Sequence, residues 1–263
     1  MKSRIAVLAT AVLALGVCQS SLAADDLTTT IGVRLWSNKW SSWDAQPSVP
    51  AAGVQSSVEN YTSNGKAAFL PAVSVRYKDF SFSGSMMTNT SYGFNFAGGT
   101  GSAERKEYDL AVGYFLLPSV SVNLGYKSVT QKFSGTPDKY EYQGPFVGVS
   151  ASAPLGNQWA VYGSVAVGRL DAEFPAFVAA PALLSSRNNT ADYRLSEVGI
   201  AYAFGPVFAG AKNVALTIGY RAQVLDTGLT LPQGGFTATS LVSRSTRGRD
   251  NTEGLTIGLS ASF

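Results

Sequence analysis

The chain closes with GLTIGLSASF, residues 254–263, in which Leu255, Ile257, Leu259, Ala261 and Phe263 share one parity and Gly254, Thr256, Gly258, Ser260 and Ser262 the other. Alternation with period 2 marks a β-strand with one apolar and one polar face, because successive side chains point to opposite sides of the pleat. Here the pattern runs to the last residue without a polar tail. Chain ends ordinarily fray in solvent, so a strand that finishes on an aromatic ring needs a partner strand and an apolar surround.

The same alternation recurs along the chain. It is carried by Ile31, Val33 and Leu35, by Val73, Val75 and Tyr77, by Phe80 and Phe82, and by Tyr108, Leu110, Val112 and Tyr114. It returns at Val120, Val122, Leu124 and Tyr126, at Val147, Val149 and Ala151, and at Trp159, Val161, Val165 and Val167. Val198, Ile200, Tyr202 and Phe204 follow, then Val214, Leu216, Ile218 and Tyr220, and the terminal segment. The reading is an all-β chain of about ten strands. Connections alternate in length: short turns at Lys78-Asp79, near Leu117-Pro118, at Pro154–Asn157 and over 205–213, against long polar stretches at 37–67, 88–104, 132–141, 171–192 and 226–252. Proline, with its fixed φ and missing N–H, suits the turns that contain it.

Short turns at one end, long polar loops at the other and an even number of antiparallel strands describe a closed up-and-down transmembrane barrel. The terminal segment resembles the carboxy-terminal signal of bacterial outer-membrane β-barrel proteins. Thr256 stands at its polar position, Gly258 at its glycine and Phe263 at its terminal aromatic, while Ala261 departs from the larger apolar residue usual there. The resemblance implies that the last strand pairs with the first, that the barrel-assembly machinery reads this segment, and that the surroundings are outer-membrane lipid and lipopolysaccharide of a Gram-negative bacterium. Closure has an independent reason, since lipid offers no partner to the N–H and C=O groups of an edge strand.

The amino terminus reads as a secretory signal peptide over residues 1–24: Lys2 and Arg4, an apolar run from Ile5 to Val17, and the small-residue site Ser21-Leu22-Ala23. The apolar run is too short for a membrane helix. Val17 before Cys18 argues against a lipidated cysteine. Residues 25–263 then form the barrel with five extracellular loops. Of 20 basic residues, Lys2 and Arg4 leave with the signal, so 18 face 17 acidic ones, a balance that excludes a nucleic-acid partner. No histidine occurs and Cys18 is the one cysteine, so no metal site and no cofactor is expected.

Which parity faces the lumen is set by size. Opposite the apolar residues lie Gly32, Ser74, Ser81, Ala111, Gly113, Ser121, Ser164, Ala166, Ala201, Thr217 and Ser260. A solvated outer face would carry more lysine and glutamate, whereas a narrow lumen requires small residues. Among them sit Arg34, Glu107, Asp109, Lys127, Glu197 and Arg221, forming one layer at mid-height. A turn near residue 118 faces Asp109 with Lys127, and one near 209 faces Glu197 with Arg221, both favourable cross-strand pairs. The alternative is a set of charges lining a watery channel.

Tyr77, Phe80, Phe115, Trp159, Phe204 and Phe263 cluster beside the short turns, as an interfacial belt would. Barrels of this kind that are hydrolases or acyltransferases rely on histidine, which is absent, so no enzymatic role is expected. Glu107 and Asp109 are read as structural. Two functions remain: a barrel with a charge-plugged lumen that presents its loops for surface interaction or envelope stabilisation, or a narrow pore for small solutes. Trp36, Trp40 and Trp43 in the first loop are read as binding anchors for an unknown surface ligand. Arg244, Arg247 and Arg249 in the last could engage lipid A phosphates.

Overall fold

A computed structural model describes residues 27–48, 55–96, 99–134, 139–173, 190–227 and 249–263. The signal segment, Arg244 and Arg247 lie outside these residues. Eleven strands follow in chain order: β1 (Leu27–Ser48), β2 (Gln55–Thr62), β3 (Lys66–Tyr77), β4 (Phe80–Phe96), β5 (Gly99–Leu117) and β6 (Val120–Phe133), then β7 (Lys139–Gly156), β8 (Trp159–Glu173), β9 (Thr190–Gly205), β10 (Asn213–Asp226) and β11 (Arg249–Ser262). Each pairs antiparallel with its neighbour, and β11 returns to β1 over Thr30↔Ser262 to Trp43↔Arg249. The sheet is a closed up-and-down barrel of ten staves. One stave is interrupted, because β1 pairs with β3 up to Asn38↔Lys66 and with β2 from Ser41↔Thr62 onward.

At the short-turn end Asn157 and Gln158 both have positive φ, 45° and 72°, the geometry that a two-residue hairpin needs to match strand twist. The outward parity over the lower half is apolar and open, with Ile31, Leu110, Leu124, Val165, Ile257 and Leu259 all more than half exposed. Such a surface is stable in lipid and costly in water. Rings frame it on both sides. Tyr77, Phe80, Tyr114, Trp159, Phe204 and Phe263 sit near the turns, and Tyr108, Tyr126 and Tyr220 mark the other edge. Phe115 does not join the girdle: neighbours on a strand face opposite sides, so with Tyr114 outward Phe115 is buried in the lumen, the Arg76 guanidinium 3.8 Å above its ring.

Where they are described, the long polar stretches are largely strand. Residues 37–48, 88–96, 99–104, 139–141, 171–173, 190–192 and 249–252 continue the barrel past the upper tyrosines. Apolar alternation failed to show this because the parity inverts there. Outward positions become Lys106, Gln143, Arg169, Arg194 and Glu253, while inward positions become Val129, Tyr142, Leu170, Tyr193 and Leu195. Below the inversion the barrel is inside-out, as a membrane demands. Above it the wall is that of a water-soluble β-barrel, with an apolar core and a charged exterior.

Candidate functional site

At the level of the inversion the inward parity carries charge. Glu197 faces Arg221 across β9 and β10, and Asp109 faces Lys127 across β5 and β6. The shortest ion pair of the layer nevertheless crosses the lumen. Arg34 Nη1 on β1 donates to Glu197 Oε1 and Oε2 at 2.7 and 2.8 Å, and Tyr162 Oη donates to Oε1 at 3.2 Å. Arg221 Nη1 stands 3.6 Å from Glu197 Oε2. Lys127 Nζ donates to Glu107 Oε2 at 2.8 Å and to Asp109 Oδ1 at 2.9 Å. Gly258, opposite Arg34 on β11, makes room for Thr217, whose Oγ1 a Cβ there would meet at 2.6 Å.

The network is larger than the six residues read from sequence. Arg105 Nε donates to Glu107 Oε1 at 2.8 Å and Gln223 Nε2 to the same oxygen at 2.9 Å. Asp250 accepts from Trp40 Nε1 at 3.2 Å and from Gln131 Nε2 at 2.6 Å. Arg105 and Asp250 stand beside or within segments assigned to loops, although Arg105 shares the parity of Glu107 and Asp109, and Asp250 that of Thr252 and Thr256. Buried Arg34, Arg105, Lys127 and Arg221 thus oppose buried Glu107, Asp109, Glu197 and Asp250, while the fifth buried carboxylate among the described residues, Asp226, stands 3.8 Å from half-exposed Arg249. A neutral sum suits a dry interior, where an uncompensated charge costs several kcal/mol.

Trp36 and Trp40 are not loop anchors. They share the inward parity of Arg34 and Asn38 on β1, and both are fully buried. Trp40 meets Tyr92 and Phe94 edge-on at 5.5 and 5.1 Å, with Arg105 over its ring at 5.2 Å. Trp36 packs with Ala68, Leu70 and Met87 beneath Arg221, 5.1 Å from its ring. Four residues apart, Trp36 and Trp40 fall on the same strand parity. The backbone of Trp43 pairs with Arg249, and its side chain lies outside the described residues. Arg249, half exposed, stands 3.8 Å from Asp226.

Thr256 and Gly258 both face the lumen on β11. Phe263 is held by the first strand: its N–H donates to Thr29 O at 2.8 Å, and Thr29 N–H donates back to Phe263 O at 3.2 Å. Phe208 covers its ring at 6.2 Å. Deleting Phe263 removes both bonds and one ring of the lower girdle, so outer-membrane yield should fall several-fold while export is unchanged, as read by heat-modifiable mobility in membrane fractions.

A closed antiparallel up-and-down barrel of ten staves with a lipid-suited outer belt is the architecture of a bacterial outer-membrane β-barrel protein. No family model and no curated protein matches the sequence. Among solved structures the chain is similar to the outer membrane protease OmpT of Escherichia coli, with 14% identity, 92% of this chain and 98% of that chain covered and a TM-score of 0.44. It is also similar to the translocator domain of the autotransporter NalP of Neisseria meningitidis, with 11% identity, 92% and 90% coverage and a TM-score of 0.40. For the toluene transporter TodX of Pseudomonas putida the values are 8%, 91%, 90% and 0.33.

Proposed function

We propose that this protein is a plugged barrel of the Gram-negative outer membrane, exported by its signal peptide, which displays its long-connection end at the cell surface in a non-enzymatic, surface-interacting or envelope-stabilising role. The observation that supports this reading is the packing of side chains into the lumen at successive levels. Arg76 and Phe115 pack near the turns, the charged layer crosses the middle, and an aromatic and aliphatic core that includes Val129, Tyr142, Leu170 and Tyr193 fills the upper wall. Eight-stranded barrels are already filled by side chains and only 16 to 18 strands leave an aqueous channel, so ten staves offer little room beyond these contents.

The carboxylates that could serve acid-base chemistry are committed elsewhere. Glu107 accepts from Lys127, Arg105 and Gln223, and Asp109 from Lys127. The exterior is the remaining functional surface: lipopolysaccharide packs against the belt, and the guanidinium of Arg249 suits lipid A phosphates, as do those of Arg244 and Arg247 in the sequence before it. The orientation is testable on intact cells. Epitope tags inserted within residues 174–189 or 228–248 should be labelled from outside, and tags at Lys78-Asp79 or Asn157-Gln158 should not. Surface labelling at Asn157 with silence at the other end would invert the reading.

A further inference from the structure

One seam of the barrel is not laddered along its length. β3 and β4 pair only from Ala72↔Ser85 down to Tyr77↔Phe80. In the same register they meet again as the isolated bridge Ser63↔Phe94, where Asn64 N–H donates to Gly93 O at 2.9 Å. Between these points residues 65–71 and 86–92 face each other without a ladder, an unpaired slit in the hydrogen-bonding pattern roughly 20 Å long at ~3.3 Å per residue, with Leu70 and Met87 buried behind it. Pro71 has no N–H to offer it, and the β4–β5 register shifts between Met87 and Thr90, so both edges are unsuited to pairing. Thr88 Oγ1 donates across the slit to Phe69 O at 3.3 Å.

The slit lies at a particular height and has a particular lining. Met86, at its lower end, pairs with outward Tyr108, and Phe69, two residues above Pro71, pairs with outward Leu35, so its lower part lies where the lipid belt meets the upper tyrosine edge. Behind it, on the lumen side, Leu70 and Met87 pack with Trp36 and Ala68, an apolar cluster in a wall otherwise charged at this level. Two buried donors in that cluster lack acceptors: Trp36 Nε1, and Nε of Arg221 stacked on the same indole. A buried N–H without an acceptor is rare in a finished interior.

We infer that this slit is a lateral port which admits one acyl chain of an intact lipid from the adjoining leaflet, its methylenes along Leu70 and Met87 and a carbonyl oxygen of its ester accepting from Trp36 Nε1. The position argues for the occupant: ester groups lie at the depth of the interfacial tyrosines, beside the opening. Apolar lining takes the chain and the orphaned donors take the oxygen. The port leads sideways, so it is compatible with a lumen closed along its axis, and it rests on the reading that the barrel sits in a bilayer.

The test is photolabelling in nanodiscs that contain a phosphatidylethanolamine with a diazirine on one acyl chain, in a Cys18→Ser background so that Phe69→Cys and Thr88→Cys can be bridged across the slit. Adducts on inward Trp36, Leu70 and Met87 are expected in the reduced protein and should fall at least five-fold when the bridge is oxidised. Adducts on outward Leu110 and Leu124 should persist in both. Trp36→Phe, which keeps the ring and removes the N–H, should lower the inward adducts by a similar factor. Outward adducts alone in the reduced protein overturn the port, as does inward labelling unaffected by oxidation. Inward labelling by a diazirine palmitate but not by the phospholipid overturns the choice of an intact lipid. Absence of outward adducts would instead refute insertion in the bilayer, and with it the proposed function.

Discussion

Replacing Glu197 by Leu should destabilise the folded barrel by about 3–5 kcal/mol, the range for removing one partner of a buried ion pair. Arg34 loses both of its bonds to Glu197, at 2.7 and 2.8 Å, and Arg221 loses the carboxylate 3.6 Å from its Nη1. Two guanidinium groups then share a desolvated section with no anion between them. The measurement is the urea midpoint for loss of the heat-modified band in detergent. The double variant Arg34→Leu with Glu197→Leu should lose less than the single one, because an apolar pair leaves fewer stranded charges. A shift below ~1 kcal/mol for Glu197→Leu would mean that water reaches the layer, since solvated ion pairs contribute about that much.

Gly254→Ala should prevent closure of the barrel. Gly254 pairs with Asn38 in the ladder that joins last strand to first, and a Cβ there would collide with the Ser37 carbonyl oxygen and stand 2.6 Å from Asn38 Cα. Both obstacles are backbone, so no rotamer relieves them, and the seam must part. The expected cost is at least ~3 kcal/mol, at the upper end for an overpacked site. It should appear as loss of the compact band and accumulation of unassembled chain. Gly163→Ala is the comparison: its nearest neighbour would be Glu197 O at 3.5 Å, an ordinary contact, and its effect should stay below ~1 kcal/mol. Equal behaviour of the two variants would show that β1 and β11 are not packed as described.

The lipid-facing half of the molecule was legible because its chemistry is periodic. Ile31 to Leu35, Leu110 to Tyr114 and Leu255 to Phe263 each declare a strand and an outward face, and the pairings of Asp109 with Lys127 and Glu197 with Arg221 follow from turn positions alone. What stayed hidden lies above the upper tyrosines. There the apolar residues change sides, so Trp40 and Tyr92 read as parts of loops, and Tyr142 and Tyr193 went unremarked beside loop bounds, when all four are buried in apolar clusters. Contacts across the lumen, such as Arg34 to Glu197, join residues far apart in the chain and in strand order, and no local pattern encodes them. The missing ladder between β3 and β4 had one visible cue, Pro71, whose consequence depends on the strand that fails to pair with it.

Occlusion of the lumen is tested most directly by the current through single refolded barrels in a planar bilayer. The wild-type protein should be electrically silent under voltages at which general porins conduct, because Arg76 with Phe115, the balanced charges and the aromatic core close the path in series. Steady, ohmic steps of porin size from the wild-type barrel would contradict the account and establish the narrow pore in its place.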